Sequence, residues 1–182
     1  MLLTIVSAIV SSLVKHVTNC VLDNFSTVKI QGAPSWYMKR VDGEICVYDY
    51  EKGDFSAIDR AKRKAKIKMI KKIDGLIDVV IYENAPRFNT QKEIALMKKF
   101  KKDDNLNLFV DKNMKFEKIE YYKDEKEVFV RGCIPAKEVL SYEERRLKEI
   151  RKKVLNVKVT TAFDELDGKS SEGPFKELDE MK

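Results

Sequence analysis

Histidine and cysteine are scarce in this sequence, and their scarcity excludes several kinds of site. The single histidine, His16, lies in the opening apolar run, so the chain has no imidazole base if that run is removed. It then has no Ser–His or Cys–His nucleophile arrangement. The three cysteines, Cys20, Cys46 and Cys133, form no C-x-x-C pair, which argues against a zinc site. We expect no bound metal and no cofactor.

Motifs that announce a catalytic reaction are also missing. The sequence has no glycine-rich phosphate loop, no H-E-x-x-H, no G-x-S-x-G and no EF-hand loop. Its neighbouring carboxylates, Asp103–Asp104 and the group Asp164, Glu165 and Asp167, lie in polar stretches that we expect to be exposed. Catalytic carboxylates are usually partly buried. The sequence therefore predicts neither an enzyme nor a small-molecule substrate.

The composition is that of one heavily charged domain. Hydrophobic residues make up 43% of the 182 residues and charged residues 36%, with a formal net charge of +6. Charges of both signs are interspersed almost everywhere, which is typical of a solvated surface. The positive excess favours anionic surfaces in general and indicates nothing specific about nucleic acid.

The opening residues have the character of an export signal. From Met1 to Val14 every residue is apolar, Ser or Thr, a run too short for the ~20 residues that span a bilayer. The run has the length of the apolar core of a secretory signal, and Val17–Cys20 stands where a lipoprotein signal ends before its acylated cysteine. We expect residues 1–19 to be a leader and Cys20 to be lipidated. The alternatives are export or anchoring by an uncleaved run, and a cytosolic element folded onto the core.

Periodicity predicts an α+β domain, with helices packed on one face of a small antiparallel sheet. Residues 20–42 are a linker in which Trp36 and Tyr37 fold back onto the core, residues 43–156 are the domain, and residues 157–182 are a flexible acidic tail. GEICVYDY is a strand, and MKFEKIEYY and EVFVRGCI are a hairpin around KDEK. A long helix carries an apolar stripe, and Gly75 leaves open whether it ends there and IDVVIYEN is a strand. A final helix, capped by Ser141 with Glu144, has its own stripe. The two stripes are Ile58, Ala61, Ala65, Met69, Ile73, Leu76 and Val80, and Leu140, Leu147, Ile150 and Val154.

Two features of the domain bear on its partners. The stretch 60–72 has eight basic residues out of thirteen, and its outward face would carry Arg60, Arg63, Lys64, Lys68 and Lys71. This face is either a solvated helix back or a surface for anionic headgroups or an acidic partner, and without interleaved aromatics nucleic acid ranks below both. Cys46 and Cys133 are either a disulfide or two buried thiols, and we expect thiols.

Several of these features together resemble one family. They are the lipobox-like stretch before Cys20, GAPSW, a strand, a helix with Ala57, Ala61 and Ala65 around Arg60, and EVFVRGCI followed by a charged closing helix. Over residues 20–154 the chain resembles the small outer-membrane lipoproteins of epsilonproteobacteria typified by the twenty-kilodalton Helicobacter lipoprotein, the "Lpp-twenty" family. That family also includes lipoproteins of the flagellar basal disc.

The resemblance implies an α+β fold, an outer-membrane or periplasmic location and a non-catalytic role in the envelope. Our first hypothesis is accordingly an envelope lipoprotein that binds the membrane surface or other envelope proteins, or assembles with itself as a homo-oligomer. A role in the flagellum or in motility rests on the resemblance alone. The alternative is a cytosolic basic adaptor for nucleic acid or acidic protein.

Overall fold

A three-stranded antiparallel sheet and the helices packed against it form the domain. The computed structural model describes residues 11–19, 30–84, 91–103 and 105–166. The elements follow in the order α1 (11–19), β1 (Glu44–Lys52), α2 (Ala57–Asn84), α3 (Gln91–Phe100), α4 (Leu106–Asn113), β2 (Lys115–Tyr122), β3 (Glu127–Pro135) and α5 (Ala136–Leu166). The predicted α+β class is confirmed.

The sheet has the order β1-β3-β2, so that β3 pairs with both other strands. β2 and β3 are the two arms of the predicted hairpin, joined by residues 123–126. β1 comes from a distant part of the sequence, and its Cys46 lies directly opposite Cys133 of β3. Because side chains alternate along a strand, each of these two strands presents one face to the helices and the other outwards.

The inner face of the sheet packs on the predicted stripe of α2. Ala61 and Ala65 are fully buried, and their small side chains let the helix lie close to the strands. The aliphatic side chains they meet come from alternate positions of β1 and β3. Each large aliphatic side chain buried in this way contributes about 1.5–3 kcal/mol. The buried residues of the two strands on this face are Ile45, Val47, Val128, Val130 and Ile134.

The outer face is covered by the segment before β1. Trp36 donates a hydrogen bond from Nε1 to Glu120 Oε2 at 2.6 Å. The ring of Tyr37 contacts those of Tyr48 and Phe129 edge-on, with centroids 5.7 and 5.0 Å apart. The prediction that Trp36 and Tyr37 fold back onto the domain is confirmed.

The structure settles one open question about helix boundaries and corrects two expectations. α2 continues through Gly75 to Asn84, so IDVVIYEN is helical and not a strand. No helix was predicted after the polar stretch at Asp103–Asp104, yet α4 begins at Leu106. α5 begins at Ala136, which places Ser141 inside the helix and not at its cap.

Two further expectations differ from the structure. α5 continues to Leu166, so the first ten residues of the segment 157–182 are helical and only the rest lies outside the described residues. Cys46 and Cys133 are not free thiols, since they form a disulfide that crosses from β1 to β3. Their facing positions in the register bring the two sulfurs together.

Candidate functional site

The basic side of α2 faces β1 along part of its length. Lys64 forms an ion pair with Glu51, and Lys68 Nζ lies 2.9 Å from Asp49 Oδ2. Arg60 donates from Nη1 to Ser56 Oγ at 2.7 Å, and its Nε lies 3.9 Å from Glu51 Oε1. Three of the five predicted surface residues are therefore paired with acidic or polar groups of the same domain.

The geometry of the two elements explains this pairing. Lys64 and Lys68 are separated by about 6 Å along the helix axis. Glu51 and Asp49 are separated by about 7 Å along the strand. α2 follows β1 through a short turn and runs back along it, so the two pairs of charges come into register. The sequence carries a signal of this pairing. It is the spacing of two acids two residues apart in a strand, Asp49 and Glu51, and two lysines four apart in the next helix, Lys64 and Lys68.

The rest of the basic stretch is not a continuous positive surface. Arg63 and Lys71 are exposed and have no ion pair within the part of the chain that the structure describes. Lys66 Nζ lies 2.6 Å from Asp111 Oδ1 of α4, and Lys62 Nζ lies 5.8 Å from the centre of the Phe116 ring. The five predicted residues thus divide into three that stabilise the β1–α2 contact and two that face solvent.

A second group of charges, which sequence reasoning missed, is buried between α2, α5 and the segment after α3. Arg146 is at its centre. Its Nη2 donates to Asp74 Oδ1 at 2.6 Å, its Nη1 lies 3.2 Å from Glu143 Oε1, and its Nε lies 3.7 Å from Asp103 Oδ2. Tyr142 donates a hydrogen bond to Asp103. Asp103, expected in an exposed stretch, is therefore part of the packing between helices.

Glu143 is the unusual member of this group. Its side chain is fully buried, and burial raises its pKa to about 8 against the opposing effect of Arg146. Within the described parts of the chain, its Oε2 has no hydrogen-bond partner. Of the two carboxyl groups that contact the guanidinium of Arg146 most closely, that of Asp74 is the nearer. Because Glu143 is fully buried and Arg146 nearly so, this group packs α2, α5 and the loop before α4 against one another.

The C-terminal half of α5 carries an apolar stripe on its outer side. Leu155, Val159, Phe163 and Leu166 are 45–81% exposed. At 3.6 residues per turn they fall within about 80° of each other. The predicted stripe of Leu147, Ile150 and Val154 lies on the opposite side, where these residues are 2–5% exposed in the core. This part of α5 is therefore apolar on two faces, of which only one is covered by the described residues.

The described end of the opening run packs on the domain. Leu13 is fully buried and Val17 is 4% exposed, both within the main core. Ser12 Oγ donates to Glu83 Oε2 at 2.7 Å, and His16 Nε2 lies 2.8 Å from the same oxygen. Cys20, the predicted lipidation site, lies outside the described residues. Among the described residues, no helix combines the length and the apolar character needed to cross a membrane.

Comparison with known proteins adds no relative. No protein-family model matches the chain, and neither a curated protein nor a solved structure is a significant match to it. The resemblance to the Lpp-twenty family stays a prediction from the residues that carry it.

Proposed function

We propose that the chain is a non-enzymatic protein of the cell envelope that acts by assembling with copies of itself through the outer stripe of α5. The observation that carries the proposal is the exposure of four large apolar side chains in line on one helix face. Scattered exposed apolar residues are normal on a protein surface, whereas a contiguous apolar patch often marks an interaction site. A helix face of this kind suits packing against a second helix.

A second copy of the chain is the occupant that the charges favour. In sequence, the basic residues Lys148, Lys152 and Lys153 precede the stripe, and the acidic residues Asp164 and Glu165 follow most of it. Two stripes packed antiparallel would place the basic start of each helix beside the acidic end of the other, with Asp164 and Glu165 at the flanks of the contact because they lie off the stripe at about 100° per residue. Such a contact is isologous, the commonest symmetry of homo-oligomers. Four side chains per copy make a small interface, so we expect association that depends on concentration.

The disulfide supports the envelope location. Disulfides persist in oxidising compartments such as the bacterial periplasm and are rare in the cytosol. The Cys46–Cys133 bond links strands that are 87 residues apart in sequence, so it constrains most of the domain. Membership of the Lpp-twenty family and a flagellar role are narrower proposals, supported only by the sequence resemblance.

For the opening run, packing favours a retained helix over a cleaved leader. Cleavage before Cys20, which lipidation requires, would remove Leu13 and Val17 from the core. Each loss is worth about 1.5–3 kcal/mol. An exported protein anchored by its uncleaved run agrees better with the packing of α1. The intact mass of the chain from its own membrane fraction separates the two: a start at Met1 supports retention, and a start at Cys20 with added acyl mass supports lipidation.

Sedimentation equilibrium of the full chain over a range of concentrations tests the assembly. The variant Val159→Lys places a charge in the middle of the stripe, and Thr160→Lys adds the same charge one residue away on a different exposed face. We expect the wild type and Thr160→Lys to associate as concentration rises and Val159→Lys to remain monomeric. A wild type that stays monomeric, or a Val159→Lys variant that associates equally well, would contradict the proposal.

The cytosolic adaptor is the second candidate, and the packing of α1 and the two solvent-facing cations Arg63 and Lys71 are the observations in its favour. Pairing of Arg60, Lys64 and Lys68 within the domain weakens it, because those charges are already engaged. Steeply salt-dependent binding to generic RNA or DNA would support it. Lack of such binding at low salt would remove it.

A further inference from the structure

Three potential metal ligands converge on the outer face of the sheet. Cys46 and Cys133 face each other across β1 and β3, and Glu44 precedes Cys46 by two residues, which places it on the same face of β1. One donor atom from each residue, two sulfurs and a carboxylate oxygen, lie within 4.8 Å of one another. Both cysteines are buried, being 5% and 2% exposed.

The Glu44 carboxylate lies beside that of Glu117, an arrangement of two like charges that a cation would stabilise. Among the residues that the structure describes, the buried Oε2 of Glu44 has no hydrogen-bond donor. A buried acceptor left unpaired costs about 1–3 kcal/mol. The nearby cation Arg131 does not satisfy it, since its Nη2 donates to Glu117 Oε2 at 3.0 Å. A cation held between Glu44 and the two sulfurs would supply the missing partner.

We propose that, when the disulfide is reduced, Glu44, Cys46 and Cys133 bind one zinc ion. Two thiolates and a carboxylate are donors that zinc accepts in a tetrahedral site, and three protein ligands leave its fourth position open to water. The softness of the thiolates favours zinc over magnesium or calcium. The sequence gives no sign of such a site, because the two cysteines are 87 residues apart and form no C-x-x-C pair.

The disulfide and the zinc site cannot exist at the same time, because both use the sulfurs of Cys46 and Cys133. A phosphine or dithiol reductant supplies two electrons, which break the S–S bond, and two protons complete the two thiols. Zinc then takes the two sulfurs as thiolates and releases two protons to solvent. The site stands apart from α5, so the proposal does not depend on the proposed assembly.

Calorimetric titration with zinc, in the full chain carrying Cys20→Ser so that no third thiol competes, tests the proposal. After reduction with a phosphine that is then removed under anaerobic conditions, we expect one zinc per chain. The oxidised protein should bind none at this site. In the reduced protein, Glu44→Gln should weaken zinc binding by at least about tenfold, the size of effect known from weaker changes around zinc ligands. Glu138→Gln, which removes an exposed carboxylate elsewhere, should leave the affinity unchanged.

Far-UV circular dichroism of each reduced variant checks that the fold persists, and Glu44→Gln keeps the size of the side chain. Reduced protein that takes up no zinc would overturn the proposal. Equal affinity in Glu44→Gln would overturn it as well, because the carboxylate would then not be a ligand.

Discussion

The two groups of charges in this domain use the same residue types at different depths. Between α2 and β1, the cations Lys64 and Lys68 are more than half exposed, although the side chain of Asp49 is only 5% exposed. Between α2 and α5, Arg146 is 4% exposed at the side chain and Glu143 not at all. Exposed ion pairs contribute up to about 1 kcal/mol, whereas breaking a buried one is strongly destabilising. The number of charged residues in a stretch of sequence therefore does not indicate which ion pairs contribute most to the stability of the fold.

Loss of Arg146 should reduce the stability of the fold most, and should therefore show most clearly that the two groups of charges differ in their contribution. Arg146→Met leaves Asp103 without its cation and Asp74 with Lys101 as its remaining partner. Removing one partner of a buried pair costs about 3–5 kcal/mol, and we expect the low end of this range because Asp74 is partly exposed and keeps Lys101. The free energy of unfolding from urea titration measures it. Arg145→Met is the matched control, since Arg145 is exposed one residue away. Equal stability of the two variants would mean that the buried group contributes nothing beyond the surface charges.

Protonation of Glu143 should appear in the pH dependence of stability. Its pKa is raised from 4.5 to about 8, so the folded protein binds a proton that the unfolded chain has lost between these values. The free energy of unfolding should therefore fall as pH rises from 4.5 to 8, by a few kcal/mol at most. Of the groups that face Glu143, Arg146 reduces the change because it favours the ionised form, and Asp74 and Asp103 enlarge it because they oppose ionisation.

The variant Glu143→Gln isolates this effect, because it keeps a neutral side chain at every pH. Urea unfolding between pH 5 and pH 8 should show a smaller fall in the free energy of unfolding for the variant than for the wild type. Parallel pH profiles for both proteins would show that Glu143 is ionised in the folded state at neutral pH.

Loss of Lys64 should produce the smallest effect. Lys64→Met removes an exposed partner of Glu51, and we expect a loss within about 1 kcal/mol that shrinks as salt is added. Thermal unfolding at low and high salt measures it. A loss as large as that of Arg146→Met would remove the distinction between the two groups.

The sequence predicted the elements that depend on local pattern. The stripe of α2 and the hairpin of β2 and β3 repeat with a clear period, and both are confirmed. α4 was missed because it is only eight residues long, with Leu106 and Val110 as its buried contacts. The start of α5 was missed because β3 runs directly into it, where Ala136 donates its backbone N–H to Gly43 rather than to a cap.

Most interactions at the candidate sites join elements that are far apart in the chain, and the sequence predicted few of them. The facing of Cys46 and Cys133 does not follow from neighbouring residues. The register of Lys64 with Glu51 left a signal in the spacing of the charges, but that signal was not used. Glu143 did leave a signal, since it stands four residues before Leu147 on the predicted stripe of α5. Its place within EERR made it resemble a surface residue, and only the packing shows that it is buried.

High salt weakens contacts between charges but not contacts between apolar side chains. The mass of the wild-type assembly at two ionic strengths therefore tests most directly whether the chain associates through the stripe of α5. Between about 0.1 M and 1 M salt the screening length falls from about 10 Å to 3 Å. Sedimentation equilibrium at a concentration where the chain associates should give the same or a larger mass at 1 M, because burial of Leu155, Val159, Phe163 and Leu166 is not screened. A fall to the monomer mass at 1 M would contradict the account. The exposed basic residues of α2 would then be the better candidate for the association surface.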